Sequence, residues 1–247
     1  KKAQDLTLDK LIALAYDPYL PGAEVLIKGL LESRKSVDNL NAKQLAVLDV
    51  LDTWNFTVDE TSIPMTLAQY YLNTYKSSGY VQYKRKGFIK MINYMAKESS
   101  HTERLEILFK AVDQLEADFG KWQIPWGEYN RYQRINGDII QKFNDSLFSL
   151  PIGMASGYWG ALASFGSRKG ENTKRVYGVG GNSFVAVVEF GDKVIAKTLL
   201  AGGQSSDPKS VHFDDQAEPY AKGQFKTVSF YKEDVIERAV KKYHPGE

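Results

Sequence analysis

Apolar residues recur at helical spacing through the first 120 positions. In LTLDKLIALAYD, Leu8, Leu11, Ile12 and Ala15 fall on one face, and Thr7 stands where an N-cap belongs. GAEVLIKGLLESR repeats the pattern with Val25, Leu26, Leu30 and Leu31. NAKQLAVLDVLDTWN predicts a core-facing stripe of Leu45, Leu48, Leu51 and Trp54. Ser62, with Pro64 just inside, opens the helix of TSIPMTLAQYYLNTYKSSG. RKGFIKMINYMAKE follows. Ser100 with Glu103 three residues on has the form of a capping box, and Gly120 stands at the helix end. The pattern therefore predicts some six helices with short links.

Beyond Gly120 the period changes. KWQIPWGEYNRYQRI reads as an extended aromatic segment around Trp122, Pro125 and Trp126. LPIGMASGYWGALASFGSRKGENTK is rich in glycine and serine without a period, and reads as loop. SFVAVVEF (183–190) and KVIAKTLL (193–200), joined by Gly191-Asp192, predict a β-hairpin. Gly180 and Gly181 allow a tight start to it. A short strand in KTVSFY and a last helix in KEDVIERAVKKY close the chain. The fold class expected is α+β, with a helical region over 1–120 and a mixed region over 121–247, the two forming part of one larger domain.

The stretch AGGQSSDPKSVHFDDQ (201–216) concentrates the candidate chemistry. Serine, histidine and aspartate suit a nucleophilic centre, a metal site or a polar turn. Neither Ser205 nor Ser206 lies in a G-x-S-x-G elbow, and triad members usually lie far apart in sequence. His212, Asp214 and Asp215 lack any His-x-x-x-His or calcium-loop spacing. The turn has local support: Gly202-Gly203 permits unusual backbone angles, and Asp207-Pro208 starts turns. On residue chemistry the turn is the preferred reading, with side chains bonding backbone groups.

Composition narrows the classes. The net charge is +2, from 32 basic and 30 acidic side chains, which disfavours nucleic acid or anionic lipid as the main partner. The basic run YKRKGFIK (83–90) reads as a solvated helix face. Cysteine is absent, so disulfides, thiolate metal sites and a cysteine nucleophile are excluded. GVGGNSF (178–184) precedes a strand, the reverse of a phosphate-binding loop. The four tryptophans, at 54, 122, 126 and 159, suit a sugar groove or a core. The opening KKAQDLTLDK has no Met and is read as that of a processed product or cut fragment.

The order of signals over 180–230 resembles the C-terminal end of the penicillin acylase family. The pattern Gly-Gln-Ser-x-Asp-Pro-x-Ser-x-His-(Tyr/Phe)-x-Asp-Gln falls here on Gly203, Gln204, Ser205, Asp207, Pro208, Ser210, His212, Phe213, Asp215 and Gln216. LDTWNFTVDETSIPMTLAQYYL (51–72) is similar to the family's Leu-x-x-Trp-Asp segment, with Asn55 where Asp is usual. WGEYNRYQRINGD (126–138) is similar to its Trp-Gly segment.

This resemblance implies an N-terminal-nucleophile amidohydrolase with an α–β–β–α sandwich, made as a self-cleaving precursor and exported to the periplasm or beyond. No cofactor is implied. The family's catalytic serine, oxyanion donors and supporting arginine precede the helical region, and residue 1 here is Lys1. No catalytic residue is therefore assigned in this chain, which is expected to be inactive alone and to need the rest of its precursor as partner. The signature residues are expected to be structural. The alternative is a non-enzymatic binding module with an aromatic groove.

Overall fold

A computed structural model describes residues 5–78 and 87–244. Lys1 and the first half of the basic run at 83–90 lie outside the described residues. The chain is α+β: helices fill the N-terminal half and strands follow.

The helices begin where their caps are. Thr7 Oγ1 accepts from Lys10 N, opening α1 (Leu8–Ala15). Pro21 in the first turn opens α2 (Pro21–Leu31), and a 3-10 turn, Glu32–Ser36, continues it. α3 (Ala42–Asp52) begins in a complete capping box between Asn41 and Gln44. Ser62 caps α4 (Ile63–Ser77), and α5 (Phe88–Asn93) runs on into a π-helical turn, Tyr94–Glu98. The Ser100 hydroxyl accepts from Glu103 N at the head of α6 (His101–Phe119). Gly120 ends that helix in the left-handed conformation.

The buried stripes differ in detail from the expected ones. On α2 the core positions are Ala23, Leu26, Ile27 and Leu30, an i, i+3, i+4, i+7 set that leaves Val25 in solvent. Leu48, Leu51 and Trp54 are buried as expected, but Leu45 is exposed at the first turn, as is Leu11 of α1.

The main core is shared by α2, α3, α4 and α6 and crosses position 120 to include Ile124, Tyr129 and Val176. All four tryptophans belong to it, at 7% exposure or less, which corrects the reading of them together as an open sugar groove. α2 meets the π-helical turn closely: a Cβ on Gly29 would lie 2.6 Å from Ala96 Cα.

The region expected to be extended around Trp126 holds a single helical turn, α7 (Trp126–Tyr129), behind Pro125, and then β1 (Asn130–Tyr132). The stretch expected to be loop contains β2 (Leu150–Pro151), a 3-10 turn at Gly157–Trp159 and β3 (Phe165–Lys169). β4 (Val176–Gly181) takes up the glycines assigned to the start of the hairpin. These strands form a sheet of order β2-β1-β4-β3, with β1 and β4 parallel. β3 and β4 have little strand propensity of their own, so pairing with each other and with β1 holds them extended.

The expected hairpin is present as β5 (Phe184–Glu189) and β6 (Ile195–Leu200), paired from Phe184↔Leu200 to Glu189↔Ile195. A short helix, α8 (Ala217–Ala221), follows the signature stretch. The expected strand in KTVSFY is only the two-residue β7 (Lys226–Thr227), paired with β6. α9 (Lys232–Arg238) buries no residue.

Tyrosine burial gives the fold an alkaline limit. Burial and the Asp145 carboxylate, which accepts from Tyr177 OH at 2.7 Å, push Tyr177 up to about 12. Burial also raises Tyr70, Tyr71, Tyr129 and Tyr220. In the unfolded chain tyrosines ionise near 10. Above that pH the unfolded state releases protons that the folded state keeps, so stability is complete below pH 10 and falls as pH rises. Each such tyrosine removes about 1.4 kcal/mol per pH unit until its folded-state pKa is reached. Urea midpoints measured between pH 8 and pH 11 should drop steeply above 10. A flat profile would show that these phenols ionise freely in the fold.

Candidate functional site

The signature stretch 201–216 leaves β6 through Gly202, whose φ is +83°, and folds back on itself: Ser205 N donates to His212 O at 3.0 Å. Gln216 N donates to Gly202 O at 2.7 Å and closes the loop at the head of α8. A Cβ on Gly203 would meet the Phe213 backbone at 2.6 Å, so the two limbs touch where Gly203 stands.

Its polar side chains serve the turn. Ser205 Oγ accepts from Asp207 N at 3.1 Å, Asp207 Oδ1 from Lys209 N at 2.9 Å, and Ser210 Oγ from His212 N at 3.2 Å. Gln216 Oε1 accepts from Lys226 Nζ at 2.6 Å. Gln204 and Pro208 are exposed. Side-chain-to-backbone bonds therefore do hold this segment, as the turn reading requires.

His212 lies on the outside of the turn. Its Nδ1 lies 2.9 Å from Asp215 Oδ2, on side chains 68% and 39% exposed, and it satisfies no buried backbone group. So open a contact, an ion pair only when the imidazole is protonated, contributes at most about 1 kcal/mol. No hydrogen bond joins His212 to a serine among the described residues. A shallow hollow lies over Ser205, Ser210, His212 and Asp215, but nothing in it orients a hydroxyl toward the imidazole. No group of three or more metal-ligating side chains occurs among the described residues. The arrangement can hold a loop; it does not assemble a nucleophile, a base and an oxyanion site.

The residue that fixes the stretch lies elsewhere. Arg134, just beyond β1, donates through Nη1 to Phe213 O and, at 3.4 Å, to Gly203 O, and through Nη2 to Ser205 O at 2.9 Å. Its guanidinium stacks on the Phe213 ring, with Cζ 4.2 Å from the centroid, and Phe213 is the buried side chain of the segment. Sequence reading passed over Arg134, because an arginine that binds main-chain carbonyls leaves no pattern in their side chains.

The segment 51–72 is built in the same manner. Asn55 Oδ1 accepts from Thr57 N at 3.0 Å and Thr57 Oγ1 at 2.7 Å. An aspartate oxygen would accept the same bonds, so Asn55 preserves the turn despite the change of residue. Asp59 repeats the arrangement with Thr61. This turn is tied to α7 by Gly127 N donating to Glu60 O at 2.7 Å, and a Cβ on Gly127 would strike the Glu60 side chain. The segments 51–72, 126–138 and 201–216 thus form a connected strip: the first meets the second through Glu60 and Gly127, and the second meets the third through Arg134.

A comparison with protein-family models finds a match to the penicillin amidase family over residues 1–237. It takes in all three segments of the strip.

Proposed function

Because the chain belongs to the penicillin amidase family, we propose that it is one part of an amidohydrolase whose chemistry is carried by another part of the same precursor. The reaction is hydrolysis of an acyl amide to a carboxylic acid and an amine. A serine freed by self-cleavage attacks the carbonyl, with its own α-amino group as base, and preorganised donors hold the oxyanion. The acyl-enzyme is then hydrolysed. The substrate is an N-acyl homoserine lactone, a β-lactam side chain or an acylated peptide, and the compartment is periplasmic or extracellular.

The observation that carries this reading is the family match over residues 1–237. The geometry of 201–216 supports the division of labour, because Ser205, Asp207 and Ser210 are occupied in turns and His212 is on the surface. The 247-residue chain alone should not turn over a chromogenic N-acyl 4-nitroanilide, and folding it together with the remainder of its precursor should give turnover. Hydrolysis by the isolated chain at the rate of the completed protein would place the nucleophile within these residues and overturn the reading.

A further inference from the structure

Among the described residues the two sheets have four outer strands, and three of them are closed to further pairing. β2 is two residues long and ends in Pro151. β3 carries Arg168 and Lys169, and its register with β4 shifts at Gly166/Ser167. β7 is two residues long and begins with Lys226. Shortness, proline, charge and a break in register each keep an edge from pairing with another chain. β5 has none of these. Its six residues run in unbroken register with β6 and include no lysine, arginine or proline.

The hydrogen-bonding groups of β5 alternate between β6 and the open side. Ala201 N donates to Ser183 O at 2.8 Å, so residue 183 and every second residue after it face β6. On β6, Ala196 O accepts from Val228 N at 2.9 Å, so Ala196 faces β7, and its register partner Val188 faces away from β6. Phe184, Ala186 and Val188 therefore turn their N–H and C=O groups outward, and among the described residues no hydrogen bond reaches those groups.

The side chains divide in the same way. Val187 is buried, and Val185 packs against the cluster of Ile152, Phe165, Leu199 and Tyr220. On the opposite face Phe184 is 61% exposed, and Ala186 and Val188 are exposed with it. α1 lies against β5 and leaves Leu11 and Leu14 in solvent. An open strand edge with apolar side chains beside it fits another extended strand, with main-chain bonds supplying the pairing.

We infer that β5 is where the remainder of the precursor joins this chain. A strand of that remainder, apolar on the face it shares with Phe184 and Val188, pairs with Phe184, Ala186 and Val188 and continues the sheet of β5, β6 and β7 into the other part. This rests on the reading of the chain as one part of a larger amidohydrolase. In a free protein an open apolar edge invites copies of itself. A strand tethered in the same precursor meets the edge at an effective concentration on the order of millimolar and covers it first.

Two substitutions in the 247-residue chain test the edge. Ala186→Pro removes an N–H that points away from β6, so it breaks no bond of the hairpin but blocks a strand on the open side. Val188→Lys places a charge on the same edge. Each variant should keep the circular dichroism spectrum and urea midpoint of the unsubstituted chain. Each should bind the remainder of the precursor at least about tenfold more weakly. The backbone N–H groups of Phe184, Ala186 and Val188 should exchange freely in the isolated chain, and at least about a hundredfold more slowly once the two parts are assembled. The proposal is overturned if both variants assemble with unchanged affinity, if these three N–H groups stay open in the assembled protein, or if the isolated chain pairs with a second copy through β5 and the remainder leaves that pair intact. Assembly is measured without turnover, so the two readings fail separately. Protected N–H groups in an assembly that cleaves no N-acyl 4-nitroanilide would sink the amidohydrolase reading alone. Cleavage by an assembly that leaves them open would sink the docking edge alone.

Discussion

Replacing Arg134 with methionine should lower the stability of the chain by about 3 kcal/mol and loosen residues 201–216 before the rest. The guanidinium donates to the carbonyls of Gly203, Ser205 and Phe213. Hydrogen bonds from a charged donor are each worth about 1.5–3 kcal/mol, and they are not additive within one group. Methionine keeps much of the aliphatic contact with Phe213 but leaves three acceptors without a donor. Lysine restores the charge without the fork, so Arg134→Lys should recover less than half of the loss. Urea denaturation measures the total, and limited proteolysis within Ser205–Val211 reports the local opening. Unchanged stability with an unchanged cleavage pattern would mean that another group anchors the stretch.

Gly29→Ala should destabilise the helical block by about 3 kcal/mol, against the sign that helix propensity alone would give. Alanine is favoured over glycine within a helix by up to about 1 kcal/mol. Here the added methyl would meet Ala96 Cα at 2.6 Å and Cβ at 2.7 Å, with the Ala96 carbonyl oxygen closer still. The obstruction includes backbone, so α2 must move away from the π-helical turn. That movement also strains the bond from Arg104 Nη1 to Gly29 O, 2.7 Å long and buried. A calorimetric melt decides the sign: a higher Tm for the alanine variant would show that the two helices are not in contact at this point.

The elements legible in the sequence are those whose causes are local. Thr7, Ser62 and Ser100 cap helices a few residues away, and β5 pairs with β6 across a short loop. The β1–β4 sheet was not legible. β3 and β4 contain Gly166, Gly178, Gly180 and Gly181, so they lack the alternation that marks a strand, and β4 finds its partner β1 far back in the chain.

The signature stretch divides in the same way. Its turn at Asp207 was legible, since Asp207 bonds a residue two positions on, and Ser205 and Ser210 prove to make the same bond. Its anchor was not, because Arg134 reaches carbonyls 69 to 79 residues away. Phe213 takes the inward position, and His212 beside it pairs with Asp215 in solvent.

The central claim is that 201–216 is scaffold in an amide hydrolase rather than its catalytic centre. It is tested most directly by kcat and Tm of the completed precursor carrying Ser205→Ala, His212→Ala or Asp215→Ala, with an N-acyl 4-nitroanilide as substrate. The account predicts kcat within about twofold of the unsubstituted protein for each, and a loss of no more than about 1 kcal/mol for His212→Ala. A fall in kcat of about a hundredfold or more with an unchanged Tm would contradict it and return the catalytic centre to this stretch.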